Sequence, residues 1–146
     1  MKVYLDMCSL QRPLDDRSQL RVDVEAQAVL GVLKLCKLGK VDLISSESLE
    51  FECHRNPHGL RRHFVEQSLS SAVEFVQTDA IVIAQAQAYV EAGLKPLDAL
   101  HLASAVKAEA EYFCTCDDRL LKKARILGTT ATKIVTPLEL VSELQP

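Results

Sequence analysis

Four acidic residues stand out for where they fall among the elements around them. Asp6 closes the apolar run Val3-Tyr4-Leu5, Glu52 lies in a helical segment beyond a second apolar run, and Asp117 follows the stretch Glu111–Cys116. Asp98 sits amid Leu97, Leu100, Leu102 and Ala103. A carboxylate flanked so closely by core residues is costly to bury without a partner. Carboxylates gathered at one edge would raise one another's pKa by repulsion. Hard divalent cations such as Mg²⁺ or Mn²⁺, which prefer oxygen ligands, relieve that repulsion. The chemistry served by such a set is metal-assisted phosphodiester hydrolysis, in which one ion activates a water and another steadies the leaving oxygen. Each acid also has an ordinary structural use. Asp6 suits a turn or a cap, Glu52 is one of several helix charges with Glu47 and Glu50, Asp98 complements a helix dipole, and Asp117 or Asp118 can cap the helix that follows.

The elements that must position these acids alternate along the chain. Strands are expected at Lys2–Asp6, Val41–Ser45, Val73–Thr78, Glu111–Cys116 and Lys133–Thr136. Between them, Val22, Ala26, Val29, Leu30, Leu33 and Cys36 recur at helical spacing, with Ser18 as the expected N-cap and Gly39 as the stop. A short helix is expected from Ser46 to the interruption at Pro57, and another through His58–Val73. Asp79 caps a helix closed by Gly93, Pro96 opens the helix carrying Asp98, Arg119–Gly128 is helical, and Pro137 opens a last helix. Alternation of this kind predicts an α/β fold: one parallel sheet with helices on both faces, in a single domain over residues 1–146. In such folds the C-terminal ends of strands and the first turns of the following helices share one rim. Asp6, Glu52, Asp98 and Asp117 are all expected there.

Bulk properties narrow the function. The net charge of −3 argues against general electrostatic binding of nucleic acid, which carries a basic excess. No apolar run approaches the roughly 20 residues of a membrane helix, and the N-terminus lacks the charged and apolar regions of a signal sequence; a cytoplasmic protein is expected. The five cysteines are odd in number and contain no Cys-x-x-Cys, as for small buried hydrophobes in a reducing compartment. Cys53 and His54 fit no standard zinc spacing. A receiver domain needs an acidic pair where Asp6 stands alone, an Asp-x-Asp phosphatase is blocked by Cys8, and neither Gly-x-Ser-x-Gly nor a glycine-rich phosphate loop is present. His101, three residues after Asp98 on one helix, reads either as a support behind the site acids or, more ordinarily, as a hydrogen-bonded packing residue. Two short basic clusters, Arg55/Arg61/Arg62 and Lys122/Lys123/Arg125, flank the acids and are placed to hold substrate phosphates.

The segments "VYLDMC", "SESLEFE" (Ser46-x5-Glu52), "LDALHLASA" and "TCDDRLL" resemble the successive acidic motifs of PIN-domain nucleases, including the VapC-like toxins of bacterial toxin–antitoxin pairs. The resemblance covers nearly the whole chain, and the last two motifs are the most specific. It implies a parallel sheet sandwiched by helices and Mg²⁺- or Mn²⁺-dependent cleavage of RNA. It also implies an antitoxin partner, a homodimer with an apolar seam through Phe64, Val65, Leu69 and Val73, and no membrane. By motif position Asp6, Glu52, Asp98 and Asp117 match the family's metal-binding and catalytic acids. Thr115 and Asp118 lie close behind them, and Arg55, Arg61, Arg62 and Lys122 are the expected substrate contacts. Where the family commonly carries Asp-Thr-Asn, this chain has Asp6-Met7-Cys8, which removes a polar neighbour of Asp6. Glu50, two residues from Glu52, competes for the second position. The same fold with a weakened site would serve as a non-catalytic RNA-binding or protein-interaction module.

Overall fold

The computed structural model describes residues 1–129 and 131–145; Pro146, the last residue of the expected domain, lies outside them. Strand β1 (Lys2–Leu5) is sealed on both faces, with Val3, Tyr4 and Leu5 fully buried. Only a strand covered by helices on both sides loses all its surface. It is followed by α1 (Met7–Gln11), a 3₁₀ turn (Arg12–Leu14), α2 (Leu20–Lys37), β2 (Asp42–Ser46), α3 (Glu47–His54), α4 (Gly59–Leu69) and β3 (Glu74–Val76). The second half comprises α5 (Ala80–Glu91), α6 (Pro96–Lys107), β4 (Tyr112–Cys114), α7 (Asp118–Leu127), β5 (Lys133–Val135) and α8 (Pro137–Leu144).

All five strands are parallel, in the order β3-β2-β1-β4-β5. β1 pairs Val3 with Leu43 of β2 and Leu5 with Cys114 of β4. The register places the Tyr4 and Phe113 rings side by side, stacked at 5.6 Å between centroids. Helix α5 packs against α6, and α2 against α8. One continuous apolar core runs from Val3 to Leu140 through both layers. The strand order reverses direction between β1 and β4. That is the switch point at which parallel sheets open a crevice for a ligand.

Capping explains several boundaries. Ser46 accepts a hydrogen bond from Leu49 N at 3.1 Å and Asp79 from Val82 N at 2.9 Å, so both start their helices as expected. Gly128 ends α7 at φ +67°, a left-handed conformation that favours glycine. Ser18 is not the cap of α2. Gln19 holds that position without a side-chain bond, and the Ser18 backbone N–H is taken by Asp16 Oδ1 at 3.0 Å. The strand expected over Glu111–Cys116 is shorter, Tyr112–Cys114, although the Thr115 N–H still bonds Val135 O of β5 at 3.0 Å. The apolar seam does not exist as expected: Val65 is fully buried in the core, and of the four residues only Val73 is largely exposed.

Candidate active site

The rim is built by strand ends and helix starts. Asp6 leaves β1 and becomes the N-cap of α1, its Oδ1 accepting from Ser9 N at 3.0 Å. Its backbone N–H still bonds Cys114 O at 3.1 Å, which fixes it to the neighbouring strand across the switch point. Asp6 is 4% exposed. Burial pushes its carboxyl pKa up, while hydrogen bonds from Thr115, Ser9 and Cys8 pull it down, and the net direction is up.

Cys8 restores a donor at the place where the sequence departs from the family pattern. Its thiol lies 3.1 Å and 3.3 Å from the two Asp6 oxygens and 3.6 Å from Thr115 Oγ1. A hydrogen bond with Cys116 and burial both push the Cys8 thiol up, so it stays protonated and donates to Asp6. Thr115, buried beyond the end of β4, accepts from Asp117 N at 3.1 Å. Asp117 in turn caps α7, its Oδ1 accepting from Arg119 N at 2.9 Å and Leu120 N at 3.3 Å. Asp6 and Asp117 are therefore caps as well as rim acids. Each cap places a carboxylate at a helix N-terminus beside the switch point.

Asp98 stands in the first turn of α6, after Pro96, and is only partly exposed. Among the described residues its carboxylate has neither an ion-pair nor a hydrogen-bond partner. Burial is the main cause that raises its pKa. The charges of Asp6, Asp117 and Glu52 raise it further, and His101 opposes them. Asp98 thus lies within electrostatic reach of each of the other three acids.

Glu50 and Glu52 are separated by the helix between them. Glu52 accepts from His101 Nε2 at 2.7 Å and joins the rim. Glu50 instead lines a groove of about 390 Å³ with Cys53, His54 and Glu66, which contains none of the four rim acids.

The remaining expected residues divide. Asp118 is exposed and turned to Arg21, with bonds of 3.0 and 2.7 Å. Arg61 is drawn inward: Nη1 bonds Asp15 Oδ1 at 2.9 Å and Gln11 at 3.2 Å, and Nη2 bonds Leu14 O at 3.1 Å. Arg62 donates to Asn56 O at 3.0 Å. Arg55 is exposed with its guanidinium over the Phe51 ring at 5.2 Å, and Lys122 is exposed on α7.

The donor set fits a hard divalent cation. Asp6, Asp98 and Asp117 bring oxygen donors and have no cationic side chain paired to them among the described residues. Among the described residues no three His, Cys, Asp or Glu side chains are drawn close enough to close around an ion.

Sequence reasoning missed Tyr4 and the way it joins Ser46 to His101 behind Glu52. Tyr4, His101 and Ser46 are buried and bonded in a row. Two signals pointed to them: Tyr4 and Asp6 are two residues apart on one strand, and Asp98 and His101 three apart on one helix.

A fold with acids at the switch point of a parallel sheet defines a class, and the family comparison agrees. The PIN domain family model matches residues 18–126, and the chain belongs to that family. The matched stretch includes Glu52, Asp98 and Asp117, and Asp6 lies before it. Among solved structures, VapBC2 from Rickettsia felis bound to a DNA fragment from their promoter is similar at TM-score 0.60 and 10% identity, covering 92% of this chain and 99% of that one. PAE2754 from Pyrobaculum aerophilum is similar at TM-score 0.58 and 18% identity, covering 99% of this chain and 98% of that one. A search of the curated proteins finds no match. No helix among the described residues is long and apolar enough to cross a membrane.

Proposed function

We propose that this protein is a divalent-metal-dependent endoribonuclease that hydrolyses RNA phosphodiester bonds, and the toxin of a toxin–antitoxin pair. The observation that carries the reading is Asp98, a partly buried carboxylate without a cation beside it, facing the charges of Asp6, Asp117 and Glu52. Membership of the PIN family supports it. The Rickettsia felis neighbour is a VapBC assembly on promoter DNA, which supports an antitoxin as partner. A homodimer is part of the same proposal.

In this reading Asp6, Asp98, Asp117 and Glu52 hold Mg²⁺ or Mn²⁺. A bound ion supplies Lewis acidity and lowers the pKa of its water. The chain's own side chains set the stage for it. Thr115 and Cys8 orient Asp6, helix α7 fixes Asp117 by its first N–H groups, and Asp98 contributes a charge that no cationic side chain pairs with among the described residues. Lys122 and Arg55, both exposed, meet phosphates on either side of the scissile bond. Arg61 and Arg62 reach substrate only by giving up their contacts within the fold.

The test is cleavage of a mixed-sequence pool of single-stranded RNA oligonucleotides. Cleavage is expected with Mn²⁺ or Mg²⁺, and none with EDTA or in Asp98→Asn. Cleavage that persists in EDTA, or in Asp98→Asn, overturns the reading.

A further inference from the structure

A buried chain of hydrogen bonds runs through the sheet to Glu52, and each of its protons has one place to go. Leu49 N–H donates to Ser46 Oγ at 3.1 Å. Ser46 Oγ lies 2.7 Å from Tyr4 Oη, Tyr4 Oη 2.7 Å from His101 Nδ1, and His101 Nε2 2.7 Å from Glu52 Oε1. The Glu52 carboxylate only accepts, so His101 Nε2 carries a proton. If Nδ1 is unprotonated, Tyr4 donates to it, Ser46 donates to Tyr4, and every buried group is satisfied. If Nδ1 carried a proton too, Tyr4 would have to donate to Ser46, and the Ser46 hydroxyl proton would find no acceptor among the described residues. The first arrangement avoids an unmade buried bond. Burial pushes the Tyr4 phenol up, so it remains a donor.

We propose that His101 is a positioning residue: Tyr4 and Ser46 fix its ring and its Nε2–H tautomer, and that N–H aims the Glu52 carboxylate at the acid rim. Imidazoles oriented by a second group often set the direction of a metal-site or catalytic carboxylate, and loss of such a partner costs about 10–100-fold in affinity or activity. The proposal rests on the assignment of Glu52 to the proposed nuclease site. The geometry supports it independently of any titration. His101 is 2% exposed and Tyr4 has no exposed surface, while Glu52 lies at the boundary with solvent. The chain is therefore rigid at its inner end and ends on a rim acid that no cap holds. Asp6 and Asp117 are fixed by backbone N–H groups; Glu52 has only the imidazole.

The test compares two substitutions of the same residue. The Asn amide falls near Nδ1 and can meet Tyr4 but not Glu52, whereas the Gln amide reaches the Nε2 position and can donate to Glu52. The readouts are Mn²⁺ affinity by calorimetry, melting temperature in EDTA, and kcat and KM on the best-cleaved member of the RNA pool. His101→Asn is expected to raise the Mn²⁺ Kd and lower kcat by about 10–100-fold with KM little changed. His101→Gln is expected to recover most of both. Tyr4→Phe, which keeps the stacked ring and removes only the hydroxyl, is expected to lower kcat by about 3–10-fold. Equal losses in the Asn and Gln variants, following their melting temperatures, would make His101 a packing residue and overturn the proposal. So would parental kcat and Mn²⁺ affinity in both His101→Asn and Tyr4→Phe. Glu52→Gln separates the two levels. If it is inactive while His101→Asn is not, only the positioning role fails; if it keeps full activity, the assignment of Glu52 itself fails.

Discussion

Replacing Glu25 with alanine removes the brace beneath the rim. Glu25 is buried, with its side chain 4% exposed. It accepts from Arg12 Nε at 3.0 Å and Nη2 at 2.6 Å, and Arg21 Nε lies at 3.6 Å. Arg21 continues to Asp118 at the start of α7, so Glu25 ties α2 to the helix that Asp117 caps. Breaking a buried pair from one side costs about 3–5 kcal/mol, because the other charge stays behind. Arg12 would keep Asp15 at 3.1 Å and is 18% exposed, which lowers the cost. The small cavity left by the shortened side chain raises it again. The expected loss is about 3 kcal/mol, or about 6–12 °C in melting temperature for a chain of this size. Urea denaturation in EDTA measures it, together with Arg12→Ala and the double variant. The double variant should lose about 1–2 kcal/mol less than the two singles added, since it leaves no orphaned charge. A Glu25→Ala loss below about 1 kcal/mol, with strictly additive singles, would refute this account and place the pair with ordinary surface ion pairs.

Asp98→Asn keeps the shape of the side chain and removes its charge. The folded pKa of Asp98 is raised, so its contribution to stability is full below its unfolded pKa and is lost as pH rises through the folded value. In EDTA at about pH 7.5 the variant is therefore expected to melt above the parent, and the gap should close as pH falls through the carboxylate range. Mn²⁺ should raise the parent's melting temperature and leave the variant's nearly unchanged; a lower melt in EDTA with an undiminished Mn²⁺ response would make Asp98 a helix-start residue only. Arg61→Ala should destabilise by about 1–2 kcal/mol through its lost bonds to Asp15, Gln11 and Leu14, as read by urea denaturation, and leave the salt dependence of RNA binding alone. Lys122→Ala should do the reverse: no change in the urea midpoint, with the slope of log affinity against log salt reduced by about 1.

The sequence disclosed the alternating elements because the parallel sheet needs apolar strands, and Val3-Tyr4-Leu5 and Tyr112-Phe113-Cys114 show that need directly. Asp6, Asp98 and Asp117 were legible as candidates because each follows a strand or opens a helix, positions marked by local signals such as Pro96, whereas Glu52 lies in the second half of α3. The sequence could not divide Glu50 from Glu52, since that depends on which face of α3 meets α6, and the helix offers both faces a carboxylate. Arg61 and Arg62 looked like free cations because composition does not reveal that Arg61 meets Asp15 at 2.9 Å and Leu14 O at 3.1 Å, and Arg62 meets Asn56 O at 3.0 Å. Val65 looked like a seam residue for the same reason: its burial in the core is a tertiary fact. Cys8 looked like a loss, yet its thiol points back at Asp6, an outcome set by the turn of α1 rather than by residue type.

The central place of β1 has a consequence for synthesis. Its two neighbours in the sheet are β2 and β4, and the far side of the acid rim, Thr115 and Asp117, follows β4. A nascent chain therefore carries Asp6 long before Asp117 and cannot assemble the rim until residue 117 has left the ribosome. Long-range parallel pairing of this kind forms late. Any fragment ending before β4 lacks both the strand that seals Tyr4 and the acid opposite Asp6. Translation that stalls before β4 thus releases chains unable to assemble the rim.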